Sequence, residues 1–148
     1  MKSTPNKFFT AKEQAEIVDA IRSAEKHTSG EIMVHVTNTS AEFEDEVKQA
    51  AAVFKKLELD KTIHRNGVLI SIAKDDRKIA IWGDEGIHTA VPQGYWQHTI
   101  DLMRSEMKQG HYVQGVIKGI HTVGEKLKKY FPKEGDDKNE IKDQVLFE

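Results

Sequence analysis

Four acidic residues stand at positions where their side chains could bind a metal ion. Glu31 opens a short apolar run, Asp60 lies in the segment 58–66, and Asp84 and Glu85 stand together between two glycines. Carboxylates that converge repel one another unless a cation neutralises them. Oxygen ligands of this kind suit calcium or magnesium. The ordinary alternative is that these are loop acids serving turns, as aspartate often does.

Other chemistries find little support in the residue types. The chain has no cysteine, which excludes disulfides, thiolate metal sites and a cysteine nucleophile. It contains neither a Gly-x-Ser-x-Gly elbow nor a Walker-type phosphate loop, and its seven histidines form no His-Glu-x-x-His pair. We therefore assign no catalytic residue from the sequence.

Composition limits the partners. The 148 residues suit one domain, the net charge is −2 and aromatic residues make up only 7%. With no basic excess, we expect no nucleic-acid partner. With no long apolar run or apolar leader, we expect no membrane segment and a cytoplasmic protein.

The positions of the acids depend on the predicted elements. Apolar, β-branched runs at 31–37, 67–73 and 78–82 predict strands, and the second is continuous enough to be a buried central strand. Turn residues at 74–77 predict that the third strand runs antiparallel to the second.

Four helices are expected around these strands. Thr10 and Glu13 have capping-box spacing before the first helix, and Thr39 and Glu42 repeat that spacing before the second. Pro92 suits the first turn of a third helix. A fourth helix is expected at about 112–130.

This order of elements predicts an α/β fold, a three-layer α/β/α sandwich in which a small mixed sheet of about four strands is flanked by four helices. The helical crossover makes the first two strands parallel. Glu31, the 60–66 loop and the 83–92 loop then meet at one edge of the sheet. His64 and His88 are expected close by.

Three further features have two interpretations each. Gly115, Gly119 and Gly124 of the fourth helix fit either tight internal packing or a closely approaching partner. Arg65 and Asn66 fit either oxyanion contacts or a turn into the second strand, with Asn66 taking the left-handed conformation. We expect a domain at 8–132 and an acidic tail at 133–148, whose apolar 145–147 patch is either loose or docked.

Four stretches together resemble the TPM domain family, also described as TPM phosphatases. The resemblance covers most of the chain, from about Phe8 to Pro132, and suggests a stand-alone bacterial member. The stretches are Ser29-Gly30-Glu31-Ile32, Leu57-Glu58-Leu59-Asp60-Lys61-Thr62, Arg65-Asn66-Gly67-Val68-Leu69-Ile70 and Gly83-Asp84-Glu85-Gly86-Ile87-His88.

The resemblance implies an α/β/α fold whose crossing loops hold divalent cations, and it links the family to acid phosphatase activity. We therefore expect Asp60, Asp84, Glu85 and Glu31 to bind calcium or magnesium in a metal-responsive binding or regulatory module. A metal-assisted phosphatase and a scaffold for an unknown protein partner remain the alternatives.

Overall fold

The computed structural model describes residues 9–37, 46–62, 65–73, 78–133 and 145–147. Within these ranges the chain forms five α-helices, one turn of 3-10 helix at Leu59–Lys61 and four strands. The elements are α1 (Ala11–Glu25), β1 (Glu31–Thr37), α2 (Glu46–Lys56), β2 (Gly67–Ala73), β3 (Lys78–Gly83), α3 (Glu85–His88), α4 (Gln97–Lys108), α5 (Tyr112–Tyr130) and β4 (Val145–Phe147).

The four strands form one mixed sheet in the order β3-β2-β1-β4. β1 and β2 are parallel, with Glu31 opposite Gly67, while β2 and β3 are antiparallel, with Val68 opposite Gly83. All seven residues of β2 are buried, which confirms the predicted central strand. β4 adds to β1 in parallel, so the apolar patch of the tail is docked.

Helices cover both faces of the sheet, and this confirms the three-layer α/β/α prediction. On one face, Ile32, Val34 and Val36 pack in the main core with residues from α1, α4 and α5. On the other face, Met33 and Leu69 pack with Phe54 of α2. Alternate residues of β1 therefore serve different cores, as the period of a strand requires.

Capping residues and prolines in the sequence predict some helix boundaries correctly and others incorrectly. The Thr10–Glu13 capping box is present and α5 runs from Tyr112 to Tyr130, both as predicted. The third predicted helix is present as α4, but it begins at Gln97 rather than at Pro92, because a turn around Gly94 intervenes. The predicted 83–92 loop contains the short helix α3. The Thr39–Glu42 cap and the 74–77 turn lie outside the described residues.

The glycines of α5 are explained by helix packing. A Cβ at Gly119 would come 2.5 Å from Sδ of Met103 on α4, and one at Gly124 would come 2.7 Å from Cβ of Ala24 on α1. Those approaches are closer than carbon and sulfur atoms pack. Two other helices of the same chain therefore occupy the glycine face, which favours the packing interpretation over a partner.

No helix in the described ranges combines the length and the apolar character that crossing a bilayer requires.

Candidate cation site at the loop edge of the sheet

Backbone hydrogen bonds join three segments at one edge of the sheet, which we call the loop edge. Asn66 O accepts from Glu31 N at 3.3 Å, and Gly67 O accepts from Asp84 N at 2.9 Å. Arg65 O accepts from Gly86 N at 2.8 Å. The segments that begin β1, lead into β2 and follow β3 are therefore neighbours, in the arrangement that parallel β1 and β2 predicted.

Asp84 is the buried acid of the loop edge. It caps α3, and its Oδ1 accepts from Glu85 N at 2.7 Å. Only 4% of the residue is exposed. Aspartate at this position satisfies an amide that a helix leaves without a partner in its first turn.

Arg65 holds the carboxylate of Asp84 in a two-point ion pair. Its Nε donates to Oδ2 at 2.7 Å and its Nη2 donates to Oδ1 at 2.8 Å. Nη1 lies 3.4 Å from Oε2 of Glu85, whose side chain is largely exposed. This parallel pairing is the geometry in which arginine binds a carboxylate most firmly.

The surrounding acids also act on Arg65 through their charge. The pKa of its guanidinium is raised, first by the hydrogen bond to Asp84 and then by the charges of Asp84, Glu85 and Asp60, while burial opposes the shift. Of the predicted ligands, Asp84 and Glu85 contact Arg65 directly, whereas Asp60 acts on it through charge alone.

The backbone of Arg65 is held in a conformation that side chains disfavour. Its φ of 51° lies in the left-handed region, while Asn66 does not share it. The prediction that Asn66 takes the left-handed turn is therefore wrong. Asparagine tolerates the left-handed conformation better than arginine does. The ion pair with Asp84 and the hydrogen bond from Gly86, however, are both made by Arg65, and they hold its backbone in that conformation.

The remaining predicted residues differ in their burial. Asp60 is half-buried in the 3-10 turn, and Glu31 is buried at the first position of β1. His88 is exposed and stacks on Trp82 with ring centroids 6.4 Å apart. His64 lies outside the described residues. Among the described residues, no three acidic or histidine side chains are grouped closely enough to hold a metal ion.

The predicted acids of the loop edge carry more negative charge than Arg65 neutralises. Three carboxylates and one guanidinium leave a formal charge of −2, from −3 + 1. Both oxygens of Asp84 already accept hydrogen bonds from Arg65. A divalent cation at Asp84 would therefore compete with the guanidinium for the same carboxylate.

Sequence comparison and structure comparison agree on the family. A family model described as the TPM domain matches residues 3–126. The NMR structure of BA42 protein from the psychrophilic bacterium Bizionia argentinensis is 42% identical, with a TM-score of 0.87, and the match covers 95% of this chain and 96% of that one. No curated protein matches the chain.

Two more distant structures share the fold. The N-terminal domain of a protein from P. gingivalis is 19% identical over 83% of this chain and 78% of that one, with a TM-score of 0.65. The N-terminal domain of the cg2496 protein from Corynebacterium glutamicum is 12% identical over 80% and 74%, with a TM-score of 0.62.

Proposed function

We propose a function for this chain from one premise: it belongs to the TPM domain family. The proposed function is a binding or regulatory module that responds to calcium or magnesium at the loop edge. Asp60, Asp84 and Glu85 would supply the ligands, with Glu31 at the start of β1 as a further acid. The observation that carries the proposal is the contact of two neighbouring carboxylates, those of Asp84 and Glu85, with the single guanidinium of Arg65 at the loop edge.

Arg65 gives the proposed response a structural form. Its guanidinium pairs with Asp84, and 43% of its side chain is already exposed. A divalent cation brings more charge to the same oxygens, and the displaced guanidinium can be hydrated without crossing the core. Cation binding would thus replace the guanidinium of Arg65 with a divalent cation as the positive charge beside Asp84.

Displacement of the guanidinium would affect the segments that Arg65 joins. Its carbonyl accepts from Gly86 in α3, and it stands two residues before β2. A left-handed backbone conformation is disfavoured for residues other than glycine. We expect release of the guanidinium to change the surface formed by Arg65, Glu85 and Gly86, which are the accessible residues of these segments and the ones that a partner would contact.

Thermal unfolding with and without cation tests the proposal. Millimolar calcium or magnesium should raise the melting temperature of the unaltered chain, because a ligand specific for the native state adds RT ln(1 + [L]/Kd), roughly 2.7 kcal/mol at a hundredfold excess over Kd. The response should disappear when Asp60, Asp84 and Glu85 are all alanine. Glu106→Gln removes an ion-paired carboxylate of α4 and should leave the response unchanged.

Arg65→Gln separates the exchange from simple binding. Glutamine removes the competing positive charge, so this variant should bind calcium at least several times more tightly than the unaltered chain while being less stable without cation. Amide NMR titration would give the affinity and place the shifts. Absence of a shift in the unaltered chain, or weaker binding by Arg65→Gln, would contradict the proposal.

We expect little or no phosphatase turnover. The sequence contains no recognisable nucleophile motif. The measurement is hydrolysis of p-nitrophenyl phosphate with calcium, magnesium or chelator present. A metal-dependent rate that Asp84→Asn abolishes in a folded protein would instead support the phosphatase alternative.

A further inference from the structure

Two tyrosines that are far apart in the sequence form a contact pair beside the main core. Tyr95 lies in the segment between α3 and α4, and Tyr130 is the last residue of α5. Their ring centroids are 5.9 Å apart and the ring planes meet at 75°, which is an edge-to-face contact. Both residues are partly exposed, so the pair is accessible from solvent.

The hydroxyl groups of the pair also interact. The pKa of Tyr95 is raised, first by burial and then by the charge and the hydrogen bonding of Tyr130. A hydrogen bond that raises the pKa of a phenol favours its protonated form, so Tyr95 is the donor. The two phenolic oxygens are therefore close together, and the ring carbons next to them share the same side of the contact.

Three neighbouring side chains surround the pair. The ring of Trp96 packs against the main core and lies 5.1 Å from the ring of Tyr95. Nζ of Lys126 lies 4.1 Å from the ring centroid of Tyr95, and Nζ of Lys129 lies 5.6 Å from that of Tyr130. Positive charge over a ring disfavours a ring that has lost an electron and kept its proton. Oxidation of either tyrosine therefore requires release of the hydroxyl proton, for which partial exposure provides a path to water.

We propose that Tyr95 and Tyr130 are an oxidative cross-linking site, at which a one-electron oxidant, such as a peroxidase intermediate formed from peroxide, joins the two rings as dityrosine. Each phenol loses one electron to the oxidant and one proton to water. The two phenoxyl radicals then form a carbon–carbon bond between ring positions ortho to the hydroxyls, and the hydrogen on each of these carbons moves to its phenolic oxygen. In total, two electrons and two protons leave the pair. This inference does not depend on the cation site.

The fold favours coupling within one chain over coupling between chains. It already holds the second ring beside the first, which makes a bimolecular step unimolecular. Bond formation requires rotation of two partly exposed side chains and no displacement of the core. The third tyrosine of the chain, Tyr112, begins α5 and stands about 27 Å from Tyr130 along the helix, at 1.5 Å per residue. Tyr112 therefore has no route to the pair within the chain.

The cross-link would also stabilise the fold. It closes a loop that contains α4 and nearly all of α5, and closing a loop lowers the conformational entropy of the unfolded chain. The cross-linked monomer should therefore unfold at a higher urea concentration than the same chain before oxidation.

Photo-oxidation of the full chain by tris(bipyridyl)ruthenium and persulfate tests the proposal at low micromolar protein concentration. The monomer should acquire dityrosine fluorescence and lose the mass of two hydrogen atoms, and tryptic digestion should give one peptide pair joined through Tyr95 and Tyr130. Tyr95→Phe and Tyr130→Phe keep the rings and remove the hydroxyls, and each should lower the yield of dityrosine in the monomer at least tenfold. Tyr112→Phe is the matched control and should leave that yield unchanged.

The same reaction in a concentration of urea that unfolds the chain keeps the proposal testable if a variant does not fold. The yield of dityrosine in the monomer should fall at least tenfold there, because the fold no longer holds the two rings together. An equal yield in the folded and the unfolded chain, an undiminished yield in Tyr95→Phe, or a cross-linked monomer no more stable than the unmodified chain would overturn the proposal.

Discussion

Replacing Gly124 with alanine is expected to destabilise the fold by up to about 2 kcal/mol. The new Cβ would lie 2.7 Å from Cβ of Ala24, whereas carbon atoms pack at roughly 3.5–4.0 Å. Ala24 has no rotamer through which to withdraw, so α1 and α5 must separate. Overpacking of this kind typically costs about 1–3 kcal/mol, and the better helix propensity of alanine returns about 1 kcal/mol.

Urea unfolding of a double-mutant cycle measures this contact. Ala24→Gly removes the methyl group that Gly124→Ala would strike, so the double variant should be more stable than the sum of the two single effects predicts. Gln114→Ala, at an exposed position of the same helix, should change stability little. If Gly124→Ala alone raises the urea midpoint, then helix propensity outweighs packing and the prediction is wrong.

The layers of this fold can be predicted from the sequence because the spacing of apolar residues shows which faces of each strand are buried. The apolar run at 67–73 is buried throughout, and alternation in 31–37 separates the two cores. The boundary of α4 was not predictable in the same way. Pro92 is compatible with the first turn of a helix, but equally with the turn that the positive φ of Gly94 allows.

The position of the loop edge could be predicted from the sequence, whereas its ion pairing could not. Strand direction alone brings 31, 65–67 and 84–86 to one edge, and the backbone hydrogen bonds confirm this. The pairing of Arg65 with Asp84 depends on a left-handed backbone at an arginine, which local preference places at Asn66 instead. One signal was available: Arg65 is the basic residue next to the turn at the edge where the acids converge.

This pairing reverses the effect expected for removing Asp84. Convergent carboxylates alone predict that losing one of them relieves repulsion and stabilises the cation-free protein. Because Arg65 already neutralises the buried carboxylate of Asp84, removal of that carboxylate should instead destabilise the protein.

Asp84→Ala is therefore expected to lower the free energy of unfolding by roughly 2 kcal/mol in the absence of cation. About 1 kcal/mol of this is the lost cap of α3, and the remainder is the lost hydrogen bonds of a charged acceptor. Asp84→Asn is the matched comparison, because asparagine also caps helices well but cannot form the ion pair. It should fall between the unaltered chain and Asp84→Ala in chelator-treated urea unfolding. If either variant were instead more stable than the unaltered chain, repulsion among the acids would outweigh the contacts of Asp84 with Arg65 and α3.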